Sequence, residues 1–167
     1  CRTSLEVEHL LAQFRMNQQD TPLVTPRCIS LDNDWNSKEE VMKGMTDNLL
    51  LAGRCRYPRK LEADLWAREA VFSTGLGFSF AIPHSKSEHI EQSTISVARL
   101  KAPVMWGDEE AQFIIMLTLN KHAAGDQHMR IFSRLARRIM HEDFRNALVN
   151  ASSGEAIASL LQHELEL

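Results

Sequence analysis

Arg68, His84 and His128 are the residues whose types could do chemistry together, and two of them share the stretch REAVFSTGLGFSFAIPH, Arg68 to His84. Two imidazoles with a guanidinium suit a phosphoryl group. Arg offers a planar fork of donors that matches phosphate oxygens. His128 falls at the predicted start of a helix, where N–H groups and positive potential favour an anion. That same potential weakens a histidine's hold on a proton, and attack on phosphorus requires a neutral imidazole. Thr74, in the Ser73-Thr74-Gly75 turn, could add a hydroxyl hydrogen bond or serve only the turn. Each residue also has a plainer reading: His84 a loop histidine, and Arg68 a cation welcome at a helix C-terminus.

These groups must be positioned by strands and helices, and the spacing predicts which. Pro58 sits at the first-turn position of a helix running to about Val71, with Leu61, Leu65 and Trp66 inward and Arg68 and Glu69 in its last turns. A strand, Phe78–Ile82, should end at Pro83, which has a fixed φ and no N–H. His84 would then lie just outside the ladder, facing solvent. Upstream, Cys28–Leu31 reads as a first strand. Ser37 with Glu40 has the capping-box spacing for a helix from Lys38 to about Ala52, and Gly53 is a plausible residue just past its end. Downstream, Thr94–Leu100 alternates like a half-buried strand, Ala102–Gly107 reads as an edge segment or short hairpin, and Ala111–Leu119 is the candidate central strand. Asp126 caps a helix from His128 to about Met140, with Ile131, Phe132, Leu135 and Ile139 on one face and Arg130, Arg134, Arg137 and Arg138 on the other. Helices Glu142–Asn150 and Ser153 to near His163 follow. The expected architecture is an α/β sandwich with a central mixed β-sheet flanked by helices.

The chain has 167 residues, 44% of them hydrophobic, and a net charge of −3. That is about one domain with a core needing neither disulfides nor metal, and it gives no reason to expect nucleic acid. The longest apolar run, Phe113–Leu119, is too short to span a bilayer, and the first ten residues carry no signal-peptide pattern. Cys1, Cys28 and Cys55 are widely spaced and read as free thiols in a reducing cytoplasm. Residues 1–19 have the spacing of an amphipathic helix, and the Thr- and Pro-rich stretch after it has linker composition. The expected division is 1–27 as an N-terminal helix and linker, 28–167 as the folded domain. A chain beginning at Cys rather than Met reads as part of something longer or as a processed form.

Three ordered segments resemble the enzyme IIA domains of the phosphoenolpyruvate:sugar phosphotransferase system, fructose/mannitol type. They are Arg68-Glu69 with Ser73-Thr74-Gly75 and Ala81-Ile82-Pro83-His84; Pro103-Val104-Met105-Trp106-Gly107; and Gly125 to Ala136, which contains His128. The likeness runs from about Ile29 to Leu161. It implies that His84 accepts a phosphoryl group on Nε2 from the phosphocarrier HPr and hands it to an enzyme IIB domain. His128 would hydrogen-bond the phosphate and Arg68 would neutralise it. No metal and no organic cofactor are implied, and the membrane is reached only indirectly, through the IIC permease. Loose phosphoryl transfer asks mainly for in-line positioning and charge stabilisation, which agrees with the residue types. Ser85 departs from the pattern, since the family often has Gly there. His89 and His122 read as solvent-exposed bystanders, and the four arginines as a solvated face or a docking surface for an acidic partner. Residues 1–19 loosely resemble the closing helix of an enzyme I domain, which would make this the C-terminal part of a fused multiphosphoryl transfer protein.

Two other functions fit part of the pattern. A regulatory module of the same fold, of the nitrogen-related type, would also be phosphorylated on His84 but would act by binding a sensor or regulator. A metal-dependent hydrolase could use His84, His128 and a carboxylate, but no HExxH or paired-Asp motif is present.

Overall fold

The computed structural model describes residues 23–71, 74–121 and 127–165, apart from the side chains of Leu76, Gln127, His128 and Met129. The predicted N-terminal helix, Ser73, His122 and the Asp126 cap lie outside the described residues.

Among the described residues six strands form one mixed sheet: β1 (Ile29–Asn33), β2 (Gly75–Gly77), β3 (Phe80–Ala81), β4 (His84–Ser87), β5 (Thr94–Trp106) and β6 (Glu109–Asn120). The order is β1-β5-β6-β3-β2, with β4 also paired to β6. β1 runs parallel to β5, and β3 and β4 run parallel to β6, while β5–β6 and β2–β3 are antiparallel. Five α-helices among the described residues cover the sheet: α1 (Lys38–Leu51), α2 (Pro58–Glu69), α3 (Gln127–Ile139), α4 (Glu142–Asn150) and α5 (Gly154–Glu164).

The apolar run in β6 is continuous because both of its faces are covered. Phe113, Ile115 and Leu117 pack with Leu135 and Ile139 of α3, Phe144 and Leu148 of α4, and Ile157 and Leu161 of α5. Ile114 and Met116 face the other way, onto Val41, Met45 and Leu49 of α1 and Leu61 and Leu65 of α2. The packed body begins ahead of residue 28, where linker composition suggests the boundary. Val24 is fully buried, and the Leu23 carbonyl accepts from the N–H of Ile95 at 2.7 Å.

Local signals set the helix ends. The Ser37 hydroxyl accepts from the N–H of Glu40 at 3.1 Å, but the returning arm of Glu40 lands on the N–H of Asn36, at 2.7 Å. Gly53, at φ +75°, lets the chain leave α1 in the left-handed region that glycine enters without strain. Replacing Ser37 by Ala is expected to cost about 1 kcal/mol in denaturant unfolding, the usual worth of an N-cap; an unchanged midpoint would mean that the Glu40 arm alone holds the turn. The Ser153 hydroxyl caps α5 in the same way, accepting from Ala156 at 3.1 Å.

Three expectations are corrected. The strand predicted for Phe78–Ile82 is only Phe80–Ala81, because Phe78 and Ser79 form the tight β2–β3 turn with φ of 59° and 67°. Ala102–Trp106 is the second half of a long β5, not a separate edge piece, and the hairpin closes at Gly107. The arginines of α3 are not simply solvated. Arg134 donates to the Leu165 carbonyl at 3.0 Å, and Arg138 pairs with Glu164 at 3.3 Å, so they clasp the end of α5.

Candidate functional site

Pro83 builds the site by interrupting a ladder. β3 and β4 are two pieces of one line beside β6, Phe80–Ala81 against Phe113–Ile114 and His84–Ser87 against Leu117–Asn120. Proline cannot donate to a ladder, so the line breaks at Ile82-Pro83. The Pro83 carbonyl still accepts from Leu117 at 2.9 Å, and the N–H of Ile82 turns to the Thr74 carbonyl at 3.0 Å. His84 is therefore the first residue of a new strand, not a residue beyond the end of an old one. It stands at the edge of the sheet, half-buried.

Both ring nitrogens of His84 are engaged. Nδ1 lies 3.0 Å from the Ile82 carbonyl, and Nε2 lies 3.1 Å from Nε of Arg68. A carbonyl only accepts and a guanidinium only donates. The ring thus carries its proton on Nδ1, and its lone pair on Nε2 points at Arg68. The ring of Phe132, from α3, tilts against it with centroids 4.5 Å apart. Burial pushes the His84 imidazole below the usual histidine range. The Arg68 charge adds to that shift, while the Ile82 hydrogen bond and the Glu69 charge oppose it. The result is an oriented nucleophilic nitrogen, poised neutral, with a cation beside it.

Arg68 and His84, sixteen residues apart, are brought together. His128 is the second residue of α3, one turn ahead of Phe132. Thr74 is buried, and its hydroxyl is used in both directions: it donates to the Glu69 carboxylate and accepts from Nε1 of Trp106 at 3.0 Å. The hydrogen that the sequence reading offered to a phosphate oxygen is committed inside the domain. His89 is half-buried, its N–H held by the Ser87 hydroxyl at 3.0 Å.

Sequence reasoning missed three contributors. Phe132 reads as a core residue from its spacing, yet it forms one wall of the site. The Ile82 carbonyl, which sets the tautomer, has no side-chain signal at all. Glu69 stands next to Arg68 in the motif, but its partner Lys38 comes from a distant segment, as does Trp106, which donates to the Thr74 hydroxyl that Glu69 holds. A cavity of about 450 Å³ lies further back along β6, bordered by Phe78, Arg99, Gln112 and Phe113, and is lined by none of the residues around His84.

The family model for the EIIA 2 component of the phosphoenolpyruvate-dependent sugar phosphotransferase system matches residues 22–164. The chain belongs to this family. As an EIIA domain it is a phosphotransferase, and the family resemblance read from the three segments is sound. It is 90% identical over 167 residues to multiphosphoryl transfer protein 2 of Escherichia coli K12, a match covering all of this chain and 20% of that protein. The chain thus spans about a fifth of the length of the first curated relatives it matches. Among solved structures, the nitrogen regulatory protein IIA-Ntr of Neisseria meningitidis superposes with a TM-score of 0.74 at 27% identity, covering 83% of this EIIA chain and 96% of that one. The Escherichia coli complex of enzyme IIAMTL with phosphorylated enzyme IIBMTL gives 0.69 at 19% identity, covering 84% and 99%, a likeness of fold.

Proposed function

We propose that Nε2 of His84 accepts a phosphoryl group from an HPr-type phosphocarrier and passes it to an enzyme IIB domain during coupled sugar uptake and phosphorylation. The observation that carries this reading is the His84 ring itself, with Nδ1–H tied to the Ile82 carbonyl and the Nε2 lone pair held at Arg68. In the forward step that lone pair attacks phosphorus, the donor–phosphorus bond breaks, and the donor leaves with its electron pair. Nδ1 keeps its proton, still donated to the Ile82 carbonyl. The lone pair is then spent, so the Arg68 guanidinium loses its acceptor on the ring and turns its donors to the phosphoryl oxygens. His128, one turn ahead of Phe132, supplies the second phosphate contact. Thr74 serves by holding the loop. Transfer onward to IIB is the same displacement with the ring as leaving group.

A partner-bound neighbour of the same fold supports the acceptor side of this reading, and high identity to a multiphosphoryl transfer protein favours the carrier over the regulatory alternative. No described helix is long and apolar enough to cross a membrane; we place the domain in the cytoplasm, meeting the membrane only through its IIC permease. We also take the residues ahead of Leu23 as the tail of a preceding domain, since Leu23 and Val24 already pack with this one. The test is a relay: label from a phosphorylated HPr-type carrier should appear on this chain and be discharged by a IIB domain. Label that no IIB domain removes would favour regulation instead.

The lowered proton affinity of His84 gives a pH prediction. The ring should be neutral at pH 7, and acceptance should stay flat as pH falls to 6.5, the ordinary histidine value, declining only below it. The unfolded chain binds that proton more readily than the folded one, so the stability contributed by neutral His84 is present at neutral pH and lost as pH drops through and below 6.5. An NMR titration of the ring checks both. A midpoint above 6.5 would overturn the assignment of burial as the dominant influence.

A further inference from the structure

We propose that Glu69 is a positioning residue for phosphoryl transfer, whose buried carboxylate ties the start of α1, the loop after α2 and, through Thr74, the end of β5 together behind the site and so holds Arg68 against His84. The inference rests on His84 being the phosphoryl acceptor.

Glu69 is the last residue of α2 and the chain neighbour of Arg68, and its side chain is 3% exposed. Oε2 accepts from Nζ of Lys38, the first residue of α1, at 2.8 Å, and from the N–H of Thr74 at 3.2 Å. Oε1 accepts from the Thr74 hydroxyl, which in turn accepts from Nε1 of Trp106, the last residue of β5. The Lys38 ammonium lies over the rings of Trp66 and Trp106, 5.4 and 5.0 Å from their centroids. One carboxylate thus joins the start of α1, the end of α2, the following loop and the end of β5.

Burying an ion pair is poor value as stability alone, since apolar residues of similar volume often serve as well. What this pair supplies is register. The last turn of a helix frays unless it is tied, and Arg68 projects from that turn. The same anchor reaches His84 by a second route. Glu69 holds both donors of Thr74, the Thr74 carbonyl accepts from Ile82, and the Ile82 carbonyl sets the ring of His84. Guanidinium and imidazole are therefore referenced to one buried point.

The test uses the full chain as Glu69→Gln, with Thr74→Val as a second variant that keeps the Lys38–Glu69 pair. Solvent exchange of the Arg68 Nε–H, followed by NMR below the melting range, is expected to speed up about tenfold or more in Glu69→Gln and in the same direction in Thr74→Val. Phosphoryl acceptance should slow about tenfold in Glu69→Gln but not fall further when the change is added to Arg68→Ala, because both act through one guanidinium. Unchanged Arg68 exchange in both variants overturns the proposal, and so does an additive loss in the double variant. If the unaltered chain takes no label on His84, the carrier reading fails instead, and the exchange measurement still judges Glu69.

Discussion

A His84→Ala chain is expected to take no phosphoryl group from a phosphorylated carrier, at any pH and any time of incubation. Nε2 of His84 is the ring nitrogen held at the Arg68 guanidinium. His84 stands at the edge of the sheet, so the substitution should leave the fold intact, and far-ultraviolet circular dichroism provides the control. Label persisting in His84→Ala would move the acceptor elsewhere and remove the basis of the mechanism.

Arg68→Lys is expected to slow acceptance about a hundredfold, the scale on which one preorganised charge-stabilising donor acts. Lysine keeps the charge but has no Nε–H to meet Nε2 and no fork to span two phosphoryl oxygens. Its flexible four-carbon stem carrying a point charge is also harder to hold in one place than a planar fork. Arg68→Ala should be at least as slow and should in addition let the His84 ring bind a proton more readily, since the guanidinium charge is one of the influences that lowers its affinity. Equal transfer rates for Arg, Lys and Ala would show that Arg68 is a helix-end cation and no more. Comparing rates at saturating donor separates transfer from docking of the donor.

The two substitutions test different parts of one device. His84 supplies the electron pair, and Arg68 supplies charge that is useful only as phosphorus is attacked. Neither touches the machinery that sets the ring's tautomer, which belongs to the Ile82 carbonyl. That division explains why the site can be compact. The proton stays put on Nδ1 through the whole exchange, and no general base is needed.

The sequence by itself determined what depends on near neighbours. Ser37 and Ser153 announce their helices because a cap is made within three or four residues. The unbroken apolar run of β6 announces a strand covered on both faces, and the motif residues announce the family. Only the tertiary structure decided the rest, because it depends on groups far apart in the chain. The Phe78-Ser79 turn was illegible since those residue types rarely take positive φ, and Pro83 was read as an ending although its missing N–H merely interrupts one line of pairing along β6. Arg68 meets His84 because α2 and β4 pack side by side, Phe132 reaches the same ring from α3, Lys38 and Thr74 converge on Glu69, and Trp106 joins them through Thr74. A short-range pattern can say that a histidine is nucleophilic in kind. Which of its nitrogens is presented, and to what, is settled by contacts that exist only once the sheet has formed.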